Sequence, residues 1–379
     1  MSNPASGLFS SVWSGEPAAV ASAPGRANLI GEHTDYNGGP VLPFAIAERT
    51  WVAVGDAPGE RWEAVSSVDG KRRVFDPGGR LPLGWTAYVA GVARVFRARG
   101  VLFPSGLRIA VASSVPVGAG LSSSAALCVA LVRALAAHAM VRLTRVTTAE
   151  LAFRAEHDEV GVQCGRMDQT IAVFGQKDHA LLFETASGTR RQLPFARAVL
   201  MVETGRSHHL TGGALNERQA ECQEALAILR RSAPRLGALA ELDERQLVRV
   251  AGRLPRALYR RVRHVVTETR RVHQAATALT QNRFARLGRL LSEGHASLRD
   301  DFASSCTEAD AIVDCAVDAG AWGARLTGAG WGGAVLVLAP DALIQDVRAA
   351  VSERFTRTFG VLPRTWMTRA GAGARMEGV

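Results

Sequence analysis

The side chains best suited to chemistry lie in a glycine-punctuated segment near the start of the chain, residues 23–39. Here an arginine, a glutamate, a histidine and an aspartate fall within ten residues of irregular backbone. Loops of this kind present several polar side chains to one point, and carboxylate and imidazole groups suit the hydroxyls of a polyol. A solvated turn with local hydrogen bonds would explain the same pattern equally well. The candidate residues are Arg26, Glu32, His33 and Asp35.

A second segment, residues 113–126, has the composition of an anion-binding loop. It places two glycines and three consecutive serines between a predicted strand and the most hydrophobic predicted helix. Small residues let backbone N–H groups approach an anion, and the helix N-terminus adds a partial positive charge. The segment lacks the lysine of a Walker A loop, so it predicts a phosphate site of another kind. The alternative is a glycine–serine turn with a serine cap.

A third segment, residues 323–334, contains five glycines beside an apolar strand. Glycine has no side chain to hold two backbones apart, so such a run suits close packing or the second edge of a phosphate pocket. A tight hairpin alone is the alternative explanation.

The length and composition predict a globular protein of two domains. The chain has 379 residues, of which 47% are hydrophobic and 21% charged, and this is longer than one compact core usually holds. Its longest apolar run, residues 125–137, contains Arg133 and is shorter than the roughly 18 residues of a membrane span. The first charged residue is Glu16, so we expect no basic leader, and the five cysteines lack a C-x-x-C pair. We therefore expect a cytoplasmic protein with no membrane partner.

The excess of positive charge could indicate nucleic-acid binding, but its distribution argues against that function. The formal net charge is +10, and all of the 45 basic residues except Lys71 and Lys177 are arginine. These arginines spread along the whole chain among acidic residues, without a basic block or a basic–aromatic pattern. No nucleic-acid partner is expected.

The elements that must position the three segments are predicted to be strands and helices that are segregated along the chain. Strands are predicted at residues 51–55, 61–68, 107–113, 179–183 and 199–203, and helices at residues 119–139, 148–160, 216–231 and 342–355. Thr147 or Thr148 is the predicted cap of the second helix. The fold class is therefore α+β. We place the domain boundary near Pro194, which gives domains of residues 1–195 and 196–379.

Together and in this order, the three segments resemble the GHMP kinase superfamily and, within it, the galactokinases. Residues 24–39 read P-G-R-A-N-L-I-G-E-H-T-D-Y-N-G-G, which is close to the galactokinase signature. Residues 118–125, G-A-G-L-S-S-S-A, are similar to the family's phosphate loop, and residues 327–333, T-G-A-G-W-G-G, to its C-terminal motif. Shorter matches such as C-G-R-M-D-Q at residues 164–169 extend the resemblance over nearly the whole chain.

The resemblance implies a fold and an activity. It implies an N-terminal domain of the ribosomal-protein S5 domain 2-like type and a ferredoxin-like C-terminal domain, with the active site in the cleft between them. It also implies a kinase that uses ATP and Mg²⁺ to phosphorylate the anomeric hydroxyl of galactose, the first committed step of galactose catabolism. We expect this enzyme to be a monomer.

The same resemblance assigns roles to individual residues. Asp168 matches the catalytic base, and Arg26 matches the residue that stabilises the transferring phosphate. An arginine beside a carboxylate favours its ionised form, so the pair could accept the sugar proton and neutralise phosphoryl charge. The implied sugar-binding residues are Glu32, His33, Thr34, Asp35, Gly165 and Leu215; the implied ATP-binding residues are Gly118, Ala119, Gly120, Leu121, Ser122, Ser123 and Ser124; and the implied magnesium ligands are Ser124 and Glu156. The sequence leaves open which of the three serines binds the ion.

Two positions depart from the galactokinase pattern and bear on the identity of the sugar. Leu215 stands where the family has a tyrosine, whose hydroxyl is worth about 1 kcal/mol, and Arg166 replaces a residue that is usually apolar. The Arg166 guanidinium either reaches a phosphate or lies in solvent. The alternatives are therefore an anomeric kinase for L-arabinose, N-acetylgalactosamine or a uronic acid, or a sensor that binds galactose and ATP without turnover.

Overall fold

The computed structural model describes residues 3–206 and 212–378, and its strands form three sheets. The strands are β1 (Ala19–Asn28), β2 (Pro40–Val41), β3 (Pro43–Ala57), β4 (Trp62–Ser66), β5 (Arg73–Phe75), β6 (Gly106–Ser113), β7 (His179–Glu184), β8 (Thr189–Pro194), β9 (Val199–Glu203), β10 (Gly323–Thr327), β11 (Ala334–Leu338), β12 (Thr365–Thr368) and β13 (Arg375–Met376). The helices are α1 (Pro4–Trp13), α2 (Thr86–Arg97), α3 (Ser123–His138), α4 (Arg145–Arg154), α5 (Met167–Phe174), α6 (Gly212–Arg230), α7 (Glu244–Val250), α8 (Arg256–Thr280), α9 (Phe284–Ser297), α10 (Thr307–Asp318) and α11 (Ile344–Phe359). Within the described ranges, none of the helices is long and apolar enough to cross a membrane.

The first sheet has six strands in the order β13–β1–β3–β6–β4–β5 and forms the core of the first half of the chain. Its neighbouring strands are antiparallel except β4 and β6, which are parallel. Helices α2, α3 and α4 cover one face, and α1 packs against the other. Because helices cover both faces, every residue of β1 is buried. The small sheet β2–β7–β8 lies beside this layer.

The second sheet, in the order β10–β11–β9–β12, lies between two layers of helices. Successive side chains of a strand point to opposite faces. Val199 and Met201 of β9 accordingly pack with residues of α8 and α9, whereas Leu200 and Val202 pack with α10 and α11. At the end of β10, the Thr327 hydroxyl accepts the backbone N–H of Asn28 at 2.9 Å, so this end of the strand contacts the first half of the chain.

The two halves of the chain share an apolar core. Leu29 and Phe44 of the first half lie in one buried cluster with Met201 and Val272 of the second half. The link between β8 and β9 covers residues 195–198, and we retain the proposed division near residue 195. However, β13 pairs with β1, so the last strand of the chain belongs to the first sheet.

The elements predicted from sequence patterns correspond to observed ones, and the differences lie at helix ends. The predicted cap at Thr147 or Thr148 is wrong, because the Oγ1 atom of Thr144 accepts the backbone N–H of Thr147 at 3.0 Å and starts α4 earlier. Helix α3 begins at Ser123 rather than near residue 119, since Gly118 and Gly120 adopt positive φ in the loop before it.

A buried arginine ties the C-terminal segment to the first sheet. Arg49 of β3 donates through Nη1 to the carbonyl of Ala372 at 2.7 Å and through Nη2 to the carbonyl of Gly373 at 2.9 Å. Its Nε donates to the hydroxyl of Ser22 at 2.9 Å. These acceptors depend on Arg49 for their hydrogen bonds, so the side chain contributes to stability by satisfying them.

We predict that Arg49→Met lowers the free energy of unfolding by about 3 kcal/mol, because buried acceptors lose their donors. Urea denaturation followed by circular dichroism measures this change. The matched control is Arg270→Met, which removes an exposed ion pair with Glu244 and should change the free energy of unfolding by less than about 0.5 kcal/mol. Equal effects of the two substitutions would contradict the stabilising role of Arg49.

Candidate active site

A cavity of about 780 Å³ opens where the two halves of the chain meet. A groove of about 830 Å³ along α7 and α8 lies away from the Arg–Asp pair and the serine-rich loop, so we place the site in the first cavity. Ala119 is buried beneath the cavity wall and takes no part in the lining. The lining includes Arg26, Gly118, Gly120, Leu121, Ser122, Ser123, Ser124, Glu156, Asp168, Leu215 and Ala329.

Arg26 and Asp168 form a two-point ion pair at the wall of this cavity. The Arg26 Nε atom lies 2.8 Å from Asp168 Oδ1, and Nη2 lies 3.1 Å from Oδ2. The pairing of β1 with β3 shifts register just before Arg26, and such a bulge redirects the side chain that follows it. Asp168 lies in the first turn of α5, where the helix dipole stabilises a carboxylate. The structure therefore brings together Arg26 and Asp168, the two residues that the family resemblance paired.

The serines of the phosphate loop (residues 118–124) differ in the residues that they contact. Ser122, in a left-handed conformation, donates its hydroxyl to Asp168. Ser124 instead lies beside Glu156 and lowers the pKa of that carboxyl group. The loop is fixed from behind by Arg26, whose Nη1 donates to the carbonyl of Gly120 at 2.5 Å. Two of the three serines therefore have different neighbours, a distinction that the sequence does not reveal.

Glu156 is a buried carboxylate in the single π-helical turn that follows α4, Ala155–Glu159. Gln169 donates its Nε2 hydrogen to Glu156 at 2.7 Å. Burial raises the pKa of Glu156 to about 7, and the neighbouring Ser124 hydroxyl and Gln169 amide offset part of this rise. A carboxylate and a hydroxyl facing a phosphate loop are an oxygen donor set suited to a hard cation such as Mg²⁺. Among the described residues, no group of three His, Cys, Asp or Glu side chains could hold a metal by itself.

Asp35 lies against Gly165, and this contact requires glycine. A Cβ atom at position 165 would lie 1.7 Å from Asp35 Oδ2. The backbone N–H of Met167 donates to the same oxygen at 3.4 Å, so Asp35 and the start of α5 are adjacent. Burial, and secondarily the charge of Asp168, raise the pKa of Asp35 to about 6. Two candidate residues from distant segments are thus brought together with Asp168.

Glu32 and His33 are buried in the signature loop (residues 31–39). Glu32 forms an ion pair with Arg325, and burial raises the pKa of Glu32 to about 7 even though Arg325 lowers it. The His33 ring stacks on Phe302 with centroids 4.2 Å apart, and its Nδ1 lies 2.8 Å from the hydroxyl of Tyr36. Burial, together with the nearby His264, holds the pKa of His33 well below its ordinary value, so the imidazole is neutral.

Thr34 differs from its neighbours in the signature loop. Its hydroxyl is fully buried and lies 2.7 Å from the carbonyl oxygen of Gly31 and 2.6 Å from that of Pro40. These contacts tie the two ends of the loop together, because the Thr34 hydroxyl donates to backbone carbonyls on both sides of it. The described contacts of Thr34 are therefore with the loop rather than with the cavity.

The two positions that depart from the family pattern have different surroundings. Leu215, in the first turns of α6, lines the cavity and brings an apolar side chain to it. Arg166 pairs with Glu150 and lies over the ring of Phe153 at 4.6 Å. Its guanidinium is thus held at the protein surface, and of the two possibilities for Arg166 the structure favours the solvent-exposed one.

Sequence reasoning missed the residues that support the signature loop from the second half of the chain. Arg325 and Glu268 are fully buried and paired with each other at 2.8 Å. Phe302, in a second π-helical turn, Leu298–Phe302, supports His33. A charged residue inside the apolar strand β10 was the available signal for Arg325, whereas Glu268 resembles the many exposed charges of α8.

Three protein-family descriptions match successive parts of the chain. Residues 7–56 match the galactokinase galactose-binding signature. Residues 87–176 match the N-terminal domain of GHMP kinases, and residues 275–357 match the C-terminal domain of GHMP kinases. The first match contains the signature loop, and the second contains the phosphate loop and Asp168.

Curated relatives match over most of their length and of this chain. A galactokinase of Roseiflexus sp. (strain RS-1) is 40% identical over 94% of this chain and 92% of its own. A galactokinase of Streptomyces coelicolor is 40% identical over 97% of this chain and 96% of its own. Similarity of this extent covers both halves and the cavity between them.

Solved structures agree with these matches. The galactokinase of Lactococcus lactis, solved in complex with galactose, superposes with a TM-score of 0.91 at 28% identity, over 98% of each chain. The mevalonate kinase of Methanococcus jannaschii, at 16% identity and a TM-score of 0.67, shares the fold. The chain is therefore an α+β protein of the two-domain GHMP kinase architecture, and it belongs to the galactokinase family.

Proposed function

We propose that this galactokinase transfers the γ-phosphate of ATP to the C1 hydroxyl of galactose with Asp168 as the base. The observation that carries the proposal is the Arg26–Asp168 ion pair, which lies between the phosphate loop and the signature loop. Family membership establishes an ATP-dependent sugar kinase, and the assignment of roles to individual residues is our inference from their contacts.

In the proposed reaction, Asp168 accepts the proton of the C1 hydroxyl while the sugar oxygen forms a bond to the γ-phosphorus. The bond from this phosphorus to the bridging oxygen breaks, and ADP leaves with the electron pair. The hydrogen bond from Ser122 to Asp168 orients the base. Arg26 is placed to neutralise charge on the phosphoryl oxygens, a contribution that is usually large in phosphoryl transfer.

The cavity offers places for the nucleotide and its ion. Val68, Leu83 and Val117 are exposed apolar side chains at its wall, and we assign the base of ATP to this region. Ser124 and Glu156 are the residues that would hold Mg²⁺ beside the phosphate loop. Such an ion neutralises charge on the transferred phosphate. A cation bound there would favour the ionised form of Glu156, and because the pKa of this group is raised to about 7, binding would release a proton near neutral pH.

The sugar is assigned to the region between the signature loop and Asp168. Glu32, His33 and Asp35 would bind its hydroxyls, and Gly165 would contribute backbone to the same pocket. Leu215 supplies no hydroxyl, and this observation favours a second candidate, an anomeric kinase for L-arabinose, N-acetylgalactosamine or a uronic acid. The intact Arg26–Asp168 pair speaks against a sensor without turnover. The monomeric state, the cytoplasmic location and the absence of a nucleic-acid partner stay predictions.

We predict that Asp168→Asn lowers kcat by about 10²- to 10⁴-fold, because the amide cannot accept the sugar proton. Coupled ADP release measures kcat, and calorimetric titration with galactose checks that binding persists. Asp300→Asn, which changes an exposed aspartate paired with Arg299, is the matched control and should leave kcat unaltered. An active Asp168→Asn enzyme would refute the assignment of the base.

We predict that Gly165→Ala raises the KM for galactose at least about tenfold, because the added methyl group would displace the Asp35 carboxylate. The KM for ATP should change less than about twofold, since the atoms nearest to the added methyl group belong to Asp35 and not to the phosphate loop. Gly252→Ala, where a methyl group meets open space, is the control. An unchanged KM for galactose would show that Asp35 does not bind the sugar.

We predict that Leu215→Tyr lowers the KM for galactose, because the new hydroxyl can bond the sugar, a gain of about 1 kcal/mol or roughly fivefold. The test is ADP release with Mg²⁺-ATP against galactose, L-arabinose, N-acetylgalactosamine, galacturonate and glucose, for both proteins. If the wild type turned over another sugar faster than galactose, that sugar would be the substrate and the assignment of galactose would be wrong. No turnover with any sugar, with galactose still bound, would revive the sensor.

A further inference from the structure

The Glu32 carboxylate is held by Arg325, a fully buried charge from the second half of the chain. Arg325 of β10 pairs with Glu32 through Nη2 and with Glu268 of α8 through Nη1, the latter at 2.8 Å. One guanidinium is therefore shared by two carboxylates. Glu268 is held in turn by Arg271, whose Nε lies 2.7 Å from Glu268 Oε2.

Helix α8 also fixes the backbone on both sides of Glu32. Glu268 Oε1 accepts the backbone N–H of Gly31 at 3.0 Å. The His264 Nε2 atom lies 3.0 Å from the carbonyl oxygen of Glu32, and its Nδ1 lies 2.9 Å from the Ser297 hydroxyl. With the carboxylate and both flanking backbone groups engaged, Glu32 has one orientation available to it.

The energetics of this cluster favour a role other than stability. Removing two carboxylates and two guanidinium groups from water costs free energy that their attraction does not always repay, and apolar residues of similar size often stabilise a core as well. An arrangement of this kind is better suited to fixing the orientation of Glu32 and to setting the pH at which it ionises. Arg325 also lies three residues before Gly328, whose backbone N–H donates to Glu32 Oε1 at 3.4 Å.

We propose that Arg325 and Glu268 are positioning residues for sugar binding. Arg325 orients the Glu32 carboxylate toward the sugar and favours its ionised form. Glu268 shares the same guanidinium and so weakens the attraction between Arg325 and Glu32. The proposal rests on the proposed function, because it takes Glu32 as a sugar ligand. It adds residues of α8 and β10 to a sugar site otherwise assigned to the signature loop, Gly165 and Leu215.

The charges around Glu32 determine the direction in which its pKa shifts when Arg325 or Glu268 is replaced, and this direction can be measured. Burial raises the pKa of Glu32 to about 7; the charges of Arg325 and Arg26 lower this pKa, and the charge of Glu268 raises it. Loss of Arg325 must therefore move the pKa of Glu32 upward, whereas loss of the Glu268 charge must move it downward. The charged and titratable groups around Glu32 are Arg325, Glu268 and Arg26, together with His264 at its backbone carbonyl and His33, the next residue in the chain.

The test is the dissociation constant of galactose, measured by calorimetry without nucleotide from pH 5.5 to 9. In the wild type, affinity should fall as the pH decreases through about 7, because protonated Glu32 accepts weaker hydrogen bonds. Arg325→Met should move this midpoint to higher pH and weaken binding at pH 7 by about fivefold for a one-unit rise in pKa. Glu268→Gln, which keeps an acceptor for Gly31, should move the midpoint to lower pH.

Three further variants separate positioning from simple structural damage. Arg325→Lys keeps the charge and should keep the midpoint within about half a unit of the wild type. Arg49→Met removes a buried arginine from the first sheet, and it should lower stability without moving the midpoint. Asp35, whose pKa of about 6 also affects binding, contacts Met167 rather than Arg325, so its contribution should be the same in every variant.

The outcomes distinguish this inference from the proposed function. If Glu32→Gln binds galactose with the affinity and pH profile of the wild type, Glu32 is not a sugar ligand and the sugar assignment fails. If Glu32→Gln weakens binding but Arg325→Met and Glu268→Gln move the midpoint in the same direction, or leave it in place, the positioning role is overturned. Should Arg325→Met not fold, the Glu268→Gln and Arg325→Lys profiles decide by the same criterion.

Discussion

The guanidinium group of Arg26 is the one interaction partner on which the rest of the site depends. It pairs with Asp168 on α5 and donates to the carbonyl of Gly120, while its own backbone N–H donates to the carbonyl of Leu121 at 3.0 Å. Strand β1, the phosphate loop and α5 thus meet at a single residue. Because a two-point arginine–carboxylate pair is directional, the base cannot move relative to the phosphate loop without breaking these bonds.

Burial differentiates the carboxylates of the cleft, which is how one protein environment gives similar groups different tasks. It raises the pKa values of Glu32 and Glu156 to about 7 and that of Asp35 to about 6. Asp168 instead lies between the guanidinium of Arg26 and the hydroxyl of Ser122, both of which donate to it. A sugar bound by the ionised forms of Glu32 and Asp35, or a cation bound by ionised Glu156, would therefore release protons on binding near neutral pH.

Hydrophobic periodicity predicted β4, β6, β7, β9 and part of β3, together with α3, α4, α6 and α11, because periodicity depends on neighbouring residues. The meeting of Arg26 with Asp168 was implied by the family resemblance alone, since the two residues lie 142 positions apart in the chain. The contact of Asp35 with Gly165 was foreseen only as a shared pocket, since an approach too close for a Cβ atom at position 165 depends on two distant segments. The separate neighbours of Ser122 and Ser124 follow from left-handed backbone at Ser122, which serine rarely adopts. Burial of Glu268 could not be predicted, because α8 carries many charges and only tertiary packing decides which one faces inward.

The groups proposed for phosphoryl transfer all come from the first half of the chain, whereas the second half reaches the sugar end through other residues. Leu215 of α6 lines the cavity, and Arg325 and Glu268 support the signature loop from behind. A substitution in α6, α8 or β10 can therefore alter the surroundings of the sugar without disturbing Arg26 or Asp168. Changes of sugar preference within this architecture are accordingly expected in the second half, because there the geometry of phosphoryl transfer imposes no direct constraint.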